Sequence, residues 1–103
     1  MSHASQRSNV LSTLKHATVR MTAQEIADRV GIIEMHSTCV RTRGMIRELI
    51  KDGYPIGSNA MGYRLMTTAK EVQVYLNSLL KRQIALSTRI QNVYEGAKLE
   101  GLI

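Results

Sequence analysis

The chain has few of the residues that hold metals, form disulfides or build aromatic clusters. Its 103 residues include no Phe or Trp, four Tyr, one Cys and one Pro. A single cysteine excludes an internal disulfide, and three scattered histidines give no zinc-binding spacing. We therefore expect no metal, no cofactor and a core built from Leu, Ile, Val and Met, which suits a small helical domain.

Acidic residues and long apolar runs are also scarce. The sequence has 8 Asp and Glu against 14 Lys and Arg, for a net charge of +6. This basic balance favours a polyanionic partner, either nucleic acid or an anionic membrane surface. No apolar run approaches the roughly 20 residues that span a membrane, and the polar N-terminus contains no signal-peptide core. These features predict a cytoplasmic protein without a membrane partner.

Patterns of catalytic residues are missing as well. The sequence shows no paired carboxylates, no glycine-rich phosphate loop and no Ser/His/Asp set. We expect His3, His16 and His36 at the surface without a ligand role, and Cys39 in the core rather than as a nucleophile. We therefore predict that the protein is not an enzyme.

Two amphipathic helices are predicted in the first third of the chain. The first covers residues 6–16 and places Val10, Leu11 and Leu14 on one face. The segment Thr22–Glu25 matches a capping box for the second helix, which ends at Gly31. We expect Ile32 and Ile33 to fix the turn that follows to the core.

A third helix is expected to begin at Ser37, a candidate N-cap, and to run to Asp52. With Ile46 at the centre of its buried face, a helical wheel places four more residues inward: Cys39, Thr42, Leu49 and Ile50. The same wheel turns four residues outward: Ser37, Arg41, Gly44 and Glu48. The helix is therefore amphipathic, and its free face is basic and small.

Residues 53–65 predict a β-hairpin. Two short runs, 54–56 and 63–65, flank a turn with a tip of about five residues, because Gly and Asn supply the positive φ that a reversal needs. A helix, a capped helix, a third helix and a hairpin follow one another in the order of a winged helix-turn-helix. We place this domain at residues 1–66, and its order of elements favours binding to duplex DNA.

Three stretches carry motifs in a specific order: residues 22–31, residues 46–56 with Gly-Tyr-Pro-Ile, and residues 62–65 with Gly-Tyr-Arg-Leu. Together they resemble the winged-helix DNA-binding domain of bacterial biotin-operon repressors and similar small regulators. The resemblance implies a recognition helix, 37–52, in the major groove and a wing, 56–65, at the DNA backbone or minor groove. The turn over 31–37 is longer than is usual in that family. Nothing in the chain resembles a ligase domain, so no enzymatic activity is implied.

Ten residues are predicted to contact DNA. Arg41 is expected to read a base, because it lies outward in the first half of the helix, where an arginine–guanine pair contributes about 1–3 kcal/mol to discrimination. An outward Gly44 permits close approach of DNA or, alternatively, close packing against another helix. Three residues of the helix are expected at phosphates: Arg43, Arg47 and Lys51. Three residues of the wing are expected at phosphates or in the minor groove: Ser58, Asn59 and Arg64. Ser37 and Thr38, at the start of the helix, complete the predicted DNA-binding set. The alternative for each charge is ordinary solvation, and for Asn59 a role in turn geometry alone.

A long helix is predicted over residues 69–95, within a C-terminal element of residues 67–103. The segment Thr68–Glu71 is a second capping box, and Gly96 is expected to fray the end of the helix. Its heptad pattern predicts a coiled-coil homodimer through seven residues: Val72, Leu76, Leu79, Gln83, Leu86, Ile90 and Val93. The alternative is that this helix folds back onto the N-terminal domain as part of a monomeric core.

The leading interpretation is a small dimeric transcriptional regulator of bacterial or phage type, associated with the nucleoid, that binds a near-palindromic double-stranded site. The alternative is a winged-helix adaptor that binds a protein component of transcription, replication or partition machinery. Between His36 and Leu65 there are five Lys and Arg against two acidic residues, which favours DNA. An architectural protein with little sequence preference would need basic residues spread more widely.

Overall fold

The computed structural model of the protein describes residues 2–103. Four helices and one hairpin follow each other along the chain: α1 His3–His16, α2 Ala23–Val30, α3 Val40–Lys51, β1 Ile56–Asn59, β2 Gly62–Leu65 and α4 Ala69–Leu99. The prediction of a mainly helical chain with a small antiparallel hairpin and a long C-terminal helix is confirmed. The chain divides into an N-terminal unit that ends at Thr67 and a C-terminal unit from Thr68 to Ile103.

The first helix starts earlier than predicted. The Ser2 hydroxyl accepts a hydrogen bond from the backbone N–H of Ser5 at 3.1 Å, so Ser2 is the N-cap and α1 begins at His3 rather than near residue 6. Val10 and Leu14 are buried, as the apolar spacing predicts. The early start adds residues 3–5 to α1, and the side chain of His3 among them reaches Glu48 of α3.

The second helix is capped at both ends as predicted. The Thr22 hydroxyl accepts from the Glu25 N–H, and the Glu25 carboxylate accepts from the Thr22 N–H, both at 3.1 Å. Gly31 takes the left-handed conformation, with φ of 85°, that ends a helix. Ile32 is buried, but Ile33 is 74% exposed, so the expectation that both isoleucines pack on the core is wrong for Ile33.

The predicted start of α3 is wrong by three residues. The N-cap is Cys39, whose φ of 52° is left-handed, and its side chain makes no capping hydrogen bond. Instead, the Glu34 carboxylate accepts from the backbone N–H groups of Arg41 at 3.1 Å and Thr42 at 2.8 Å. Because Glu34 satisfies these free amides, Ser37 is not needed as a cap and lies in the preceding turn.

The buried face of α3 is rotated from its predicted position. Its buried residues are Thr42, Met45, Ile46 and Leu49. Ile50, predicted inward, is 45% exposed, and Met45 was missed by the wheel centred on Ile46. The rotation follows from packing, because α3 contacts both α1 and α2 and Met45 fills the core that these helices share.

The hairpin pairs Ile56 with Leu65 and Asn59 with Gly62. Its tip is therefore the two residues Ala60 and Met61, and the predicted tip of about five residues is wrong. The Asn59 side chain accepts from the Met61 N–H at 2.8 Å, so the asparagine closes the turn. Both strands consequently extend further toward the tip than the apolar runs indicate.

Gly62 is required where the hairpin meets the chain before α2. Its φ is 122°, and a Cβ there would overlap the Met21 backbone. This close approach permits two hydrogen bonds between Met21 and Tyr63, of 3.0 and 2.7 Å, which form an antiparallel bridge. The hairpin is therefore attached to the backbone just ahead of the α2 cap.

The C-terminal unit is built on α4, which has 31 residues. The Thr68 hydroxyl accepts from the Glu71 N–H at 3.1 Å, as the capping pattern predicts. The helix continues through Gly96 to Leu99, so the predicted end at residue 95 is wrong. The chain leaves the helix at Gly101, which has a φ of 71°. Among the described residues of α4, none is buried.

Candidate nucleic-acid interface

One side of α3 points directly away from the core. At about 100° per residue, four residues lie within about 40° of the direction opposite to the buried face. We call these residues the outer face of α3: Val40, Gly44, Arg47 and Lys51. Arg43 lies beside this face on the side of the hairpin, and all these residues except the half-buried Gly44 are exposed.

Gly44 leaves open space on the outer face. A Cβ built at this position has no atom of the described residues within 4 Å, apart from the backbone of its own helix. No other helix of the N-terminal unit therefore packs closely against Gly44. Val40, one turn before Gly44, and Arg47, one turn after it, flank this gap.

Arg41, the residue expected to read a base, lies to the side of the outer face and already has partners. Its guanidinium donates to the Ile33 carbonyl oxygen at 3.3 Å, and its backbone N–H donates to the Glu34 carboxylate. By the same helical geometry it lies about 90° from the centre of the outer face. The structure thus ties Arg41 to the segment between α2 and α3.

The carboxylate of Glu34 is held in its charged form by α3. Desolvation is the largest influence and raises the pKa of Glu34, but the hydrogen bonds from the backbone N–H groups of Thr42 and Arg41 outweigh it, and the net pKa is lowered. A negative charge at a helix N-terminus is also favoured by the helix dipole. Glu34 was missed by the sequence analysis because it lies seven residues from Arg41.

Both acidic residues at the C-terminal end of α3 are paired with α1. His3 Nε2 lies 2.9 Å from Glu48 Oε2, and Arg7 Nη1 lies 2.7 Å from Asp52 Oδ2. The hydrogen bond with His3 is the main cause that lowers the pKa of Glu48. These carboxylates therefore lie on the side of α3 that faces α1. By the same helical geometry Glu48 is about 70° from the centre of the outer face, on the flank opposite to Arg43.

A surface cleft of about 270 Å³ separates the start of α2 from the hairpin. It brings together three residues that were predicted to contact DNA, Arg43, Ser58 and Asn59. It also includes Thr22 and Ala23, which the sequence analysis did not assign to the site. This cleft combines the guanidinium of Arg43 with hydroxyl and amide side chains, groups that can donate hydrogen bonds to an anion.

The other predicted contact residues lie near this surface or beside it. Ser37 and Thr38 are exposed in the turn before α3, and Arg64 is half-buried in β2. Arg20, which was not predicted, donates to the Gly62 carbonyl oxygen at 3.4 Å and so contacts the hairpin near its tip. Thus most predicted residues of the N-terminal unit belong to α3 and the adjoining hairpin.

The predicted dimer seam is on α4 and remains accessible. Leu76, Leu86, Ile90 and Val93 are exposed, and Leu79 is 38% exposed. Val72 is half-buried and Gln83 is exposed. These side chains follow one another at heptad spacing along the helix.

Two further features of residues 2–103 bear on the chemistry. In this part of the chain no group of three or more His, Cys, Asp and Glu side chains is placed to hold a metal ion. No helix within the same residues has both the length and the apolar character required to cross a membrane. Comparisons with protein-family models, curated proteins and solved structures found no match to this chain.

Proposed function

We propose that this protein binds double-stranded DNA with sequence preference and acts as a small dimeric transcriptional regulator. In this proposal the N-terminal unit is a winged helix-turn-helix in which α3 enters the major groove. The hairpin formed by β1 and β2 is the wing. The winged-helix assignment is supported by the order of elements and by the hairpin that follows α3 directly.

The segregation of charge around α3 carries the proposal. Arg43, Arg47 and Lys51 lie on or beside the outer face, whereas the carboxylates of Glu48 and Asp52 are paired with His3 and Arg7 of α1. A helix of mixed charge thus presents a positive surface to a partner. Phosphates attract such a surface, and protruding side chains on a helix are placed to reach base edges.

The cleft between α2 and the hairpin fits a role at the DNA backbone. Arg43, Ser58 and Asn59 line it together with the start of α2, and phosphates are common ligands of such donors. Contacts of this type set the position of a protein on the duplex without reading its sequence. They would hold α3 at a fixed depth in the groove.

Dimerisation through α4 is supported by its exposed apolar residues. The helix covers more than four heptads, and its Leu, Ile and Val side chains remain accessible along the predicted seam. Regular apolar stripes on an exposed helix are typical of association surfaces. A symmetric dimer would present two α3 helices to half-sites about one helical turn, or a multiple of it, apart.

An adaptor that binds a protein component of transcription, replication or partition machinery is the second candidate. It is favoured by one observation, the exposure of Ile33 and Met35 in the segment before α3. Exposed apolar side chains near a candidate interface are typical of protein contacts. The two functions differ in their dependence on duplex DNA, which the following experiment measures.

Selection from a random duplex library tests the proposed function. Bound fragments are sequenced, and fluorescence anisotropy then compares a selected site with a scrambled duplex of equal length. We expect a near-palindromic motif and affinity for the selected site about 10³-fold or more above the scrambled one. Equal affinity for both duplexes would support an architectural protein. No duplex binding even at 50 mM salt would reject the proposal and favour the adaptor.

A further inference from the structure

The outer face of α3 combines side chains with different base preferences. Val40 is 62% exposed in the first turn, and Arg47 is exposed two turns later, with Gly44 between them. Exposed apolar residues occur elsewhere on this chain, so Val40 is distinguished by its place on the outer face beside the gap at Gly44. In a major groove, apolar side chains contact the methyl group of thymine, and arginine pairs with O6 and N7 of guanine.

We infer that Val40 and Arg47 read the bases of each half-site, Val40 against a thymine methyl group and Arg47 against a guanine. Arg47 follows Val40 by seven positions, which is about 10 Å along the helix axis. Because base pairs in DNA are spaced by about 3.4 Å, the two side chains reach bases within about three base pairs of one another. Gly44 lets α3 approach the floor of the groove between these two contacts. This inference rests on the proposed function in DNA binding and specifies the chemistry that its site recognises.

Arg41 has a different role in this arrangement. Its guanidinium bond to the Ile33 carbonyl oxygen and the bonds of Glu34 to the start of α3 fix the helix relative to the preceding segment. Arg41 is therefore a positioning residue. Its loss should reduce affinity for every duplex while leaving the response to individual base atoms unchanged.

Single-atom changes in the DNA separate these roles. With the site obtained by selection, each thymine is replaced by deoxyuridine, which lacks the methyl group, and each guanine by 7-deazaguanine, which lacks the N7 acceptor. We expect one 7-deazaguanine per half-site to weaken binding of the unmodified protein by roughly 5- to 150-fold. One deoxyuridine within about three base pairs of it should weaken binding by a smaller factor of about 3- to 10-fold.

Protein variants then assign each penalty to a residue. Arg47→Ala should lose the 7-deazaguanine penalty, and Val40→Ala should lose the deoxyuridine penalty. Val74→Ala is the matched control, because Val74 is also a helical valine with 62% exposure but lies in α4. If Arg47→Ala retains the 7-deazaguanine penalty, the assignment of Arg47 is overturned. If Val40→Ala retains the deoxyuridine penalty, the assignment of Val40 is overturned.

The gap at Gly44 gives a second, independent test. Gly44→Leu should keep the helical circular dichroism signal, because a Cβ at this position meets open space. It should reduce affinity for the selected site at least tenfold by holding α3 away from the groove. Gly96→Leu is the control, since Gly96 is also helical and open but lies in α4.

The outcomes separate this inference from the proposed function. If the unmodified protein binds neither the selected nor the scrambled duplex, the proposed function itself fails. If it binds the selected site but Gly44→Leu binds as tightly, α3 does not approach the groove through its outer face and the inference is wrong. Gly44→Ala repeats the test with the smallest added group, and we expect it to raise stability while still weakening binding.

Discussion

The two units of the chain differ in the burial of their apolar residues. In the N-terminal unit, Val10, Ile26, Met45 and Ile46 are at most 1% exposed and form one continuous core. In the C-terminal unit, α4 carries a comparable supply of Leu, Ile and Val, yet none of its described residues is buried. Apolar side chains in the first unit therefore stabilise a fold, whereas those in the second remain available to another surface.

This difference indicates where each unit obtains its stability. A core buried within one chain stabilises that chain at any protein concentration. Most helical stability in proteins comes from packing of an apolar face, so a helix of 31 residues with accessible apolar side chains gains stability when a second surface covers its stripe. Experiments that separate the two units, or that alter matched residues in each, test this difference in stability.

Removal of the C-terminal unit is expected to have the largest effect on DNA binding. Truncation after Thr67 should leave the N-terminal unit folded, because its core includes no residue of α4. Affinity for a duplex with two half-sites should fall by about 10²- to 10⁴-fold, since the second contact is no longer tethered. Anisotropy measures affinity, and light scattering measures mass, with a dimer expected for the full chain and a monomer for the truncated chain.

The control is a duplex with a single half-site, on which both chains should bind with similar affinity. A full-length protein that remains monomeric at tens of micromolar would contradict dimerisation through α4. Equal affinity of the two chains for the two-half-site duplex would show that α4 does not link the DNA-binding units.

Alanine substitutions at one buried and one accessible leucine compare the two units directly. Leu49 is 3% exposed, and Leu49→Ala should lower the free energy of unfolding by about 2–5 kcal/mol at every protein concentration. Leu79 is 38% exposed, and Leu79→Ala should lower stability only at concentrations where the dimer is populated. Urea unfolding followed by circular dichroism at two protein concentrations measures both.

The dependence on concentration decides this prediction. If Leu79→Ala causes the same loss at both concentrations, the leucine packs within its own chain. In that case the exposed stripe on α4 is not an association surface. If Leu49→Ala shows a strong concentration dependence, the N-terminal core is not an independent folding unit.

Loss of the Glu34 cap is expected to have a smaller effect that depends on pH. Glu34→Ala removes the acceptor for the first N–H groups of α3 and should cost about 1 kcal/mol at neutral pH, by analogy with N-cap replacements. Because the folded-state pKa of Glu34 is lowered, its stabilisation is present above the ordinary value of 4.5 and is lost as pH falls through the folded pKa. The difference between the variant and the natural sequence should therefore shrink in acid.

Unfolding by urea at pH 7, 5 and 3.5 checks this dependence, with exposed Glu100→Gln in the C-terminal unit as control. A difference that is constant across this pH range would show that Glu34 acts through packing rather than charge. A difference that grows in acid would reverse the expected sign and contradict the charged cap.

The capping box of α2 and the existence of the hairpin could be predicted because their signals are local. Thr22 and Glu25 bond to each other's backbone within one turn, and Gly62 lies where the chain needs a positive φ. Spacing of apolar residues likewise identified Val10 and Leu14 on α1. In each case the interacting groups lie a few residues apart or repeat with the helical period.

The remaining features depend on contacts between distant parts of the chain. The Glu34 carboxylate, rather than a side chain at the N-cap position, accepts hydrogen bonds from the first N–H groups of α3. The helix therefore begins at Val40 and not at Ser37. Met45 rather than Ile50 is buried, because α1 and α2 determine which side of α3 is covered. The pairing of Asp52 with an arginine 45 residues away likewise leaves no local signal. Thus the basic residues were predictable, but the outer face that they form was not.

The dependence of DNA affinity on salt tests the central proposal most directly, because it reports phosphate contacts regardless of the target sequence. Anisotropy titrations between 50 and 200 mM salt should give a line of log affinity against log salt with a slope of roughly −3 to −4.5 per protomer, as expected for three to five neutralised phosphates. Lys51→Ala should reduce the magnitude of the slope by about 1. An affinity that does not change across this range would contradict DNA binding through the basic surface of α3.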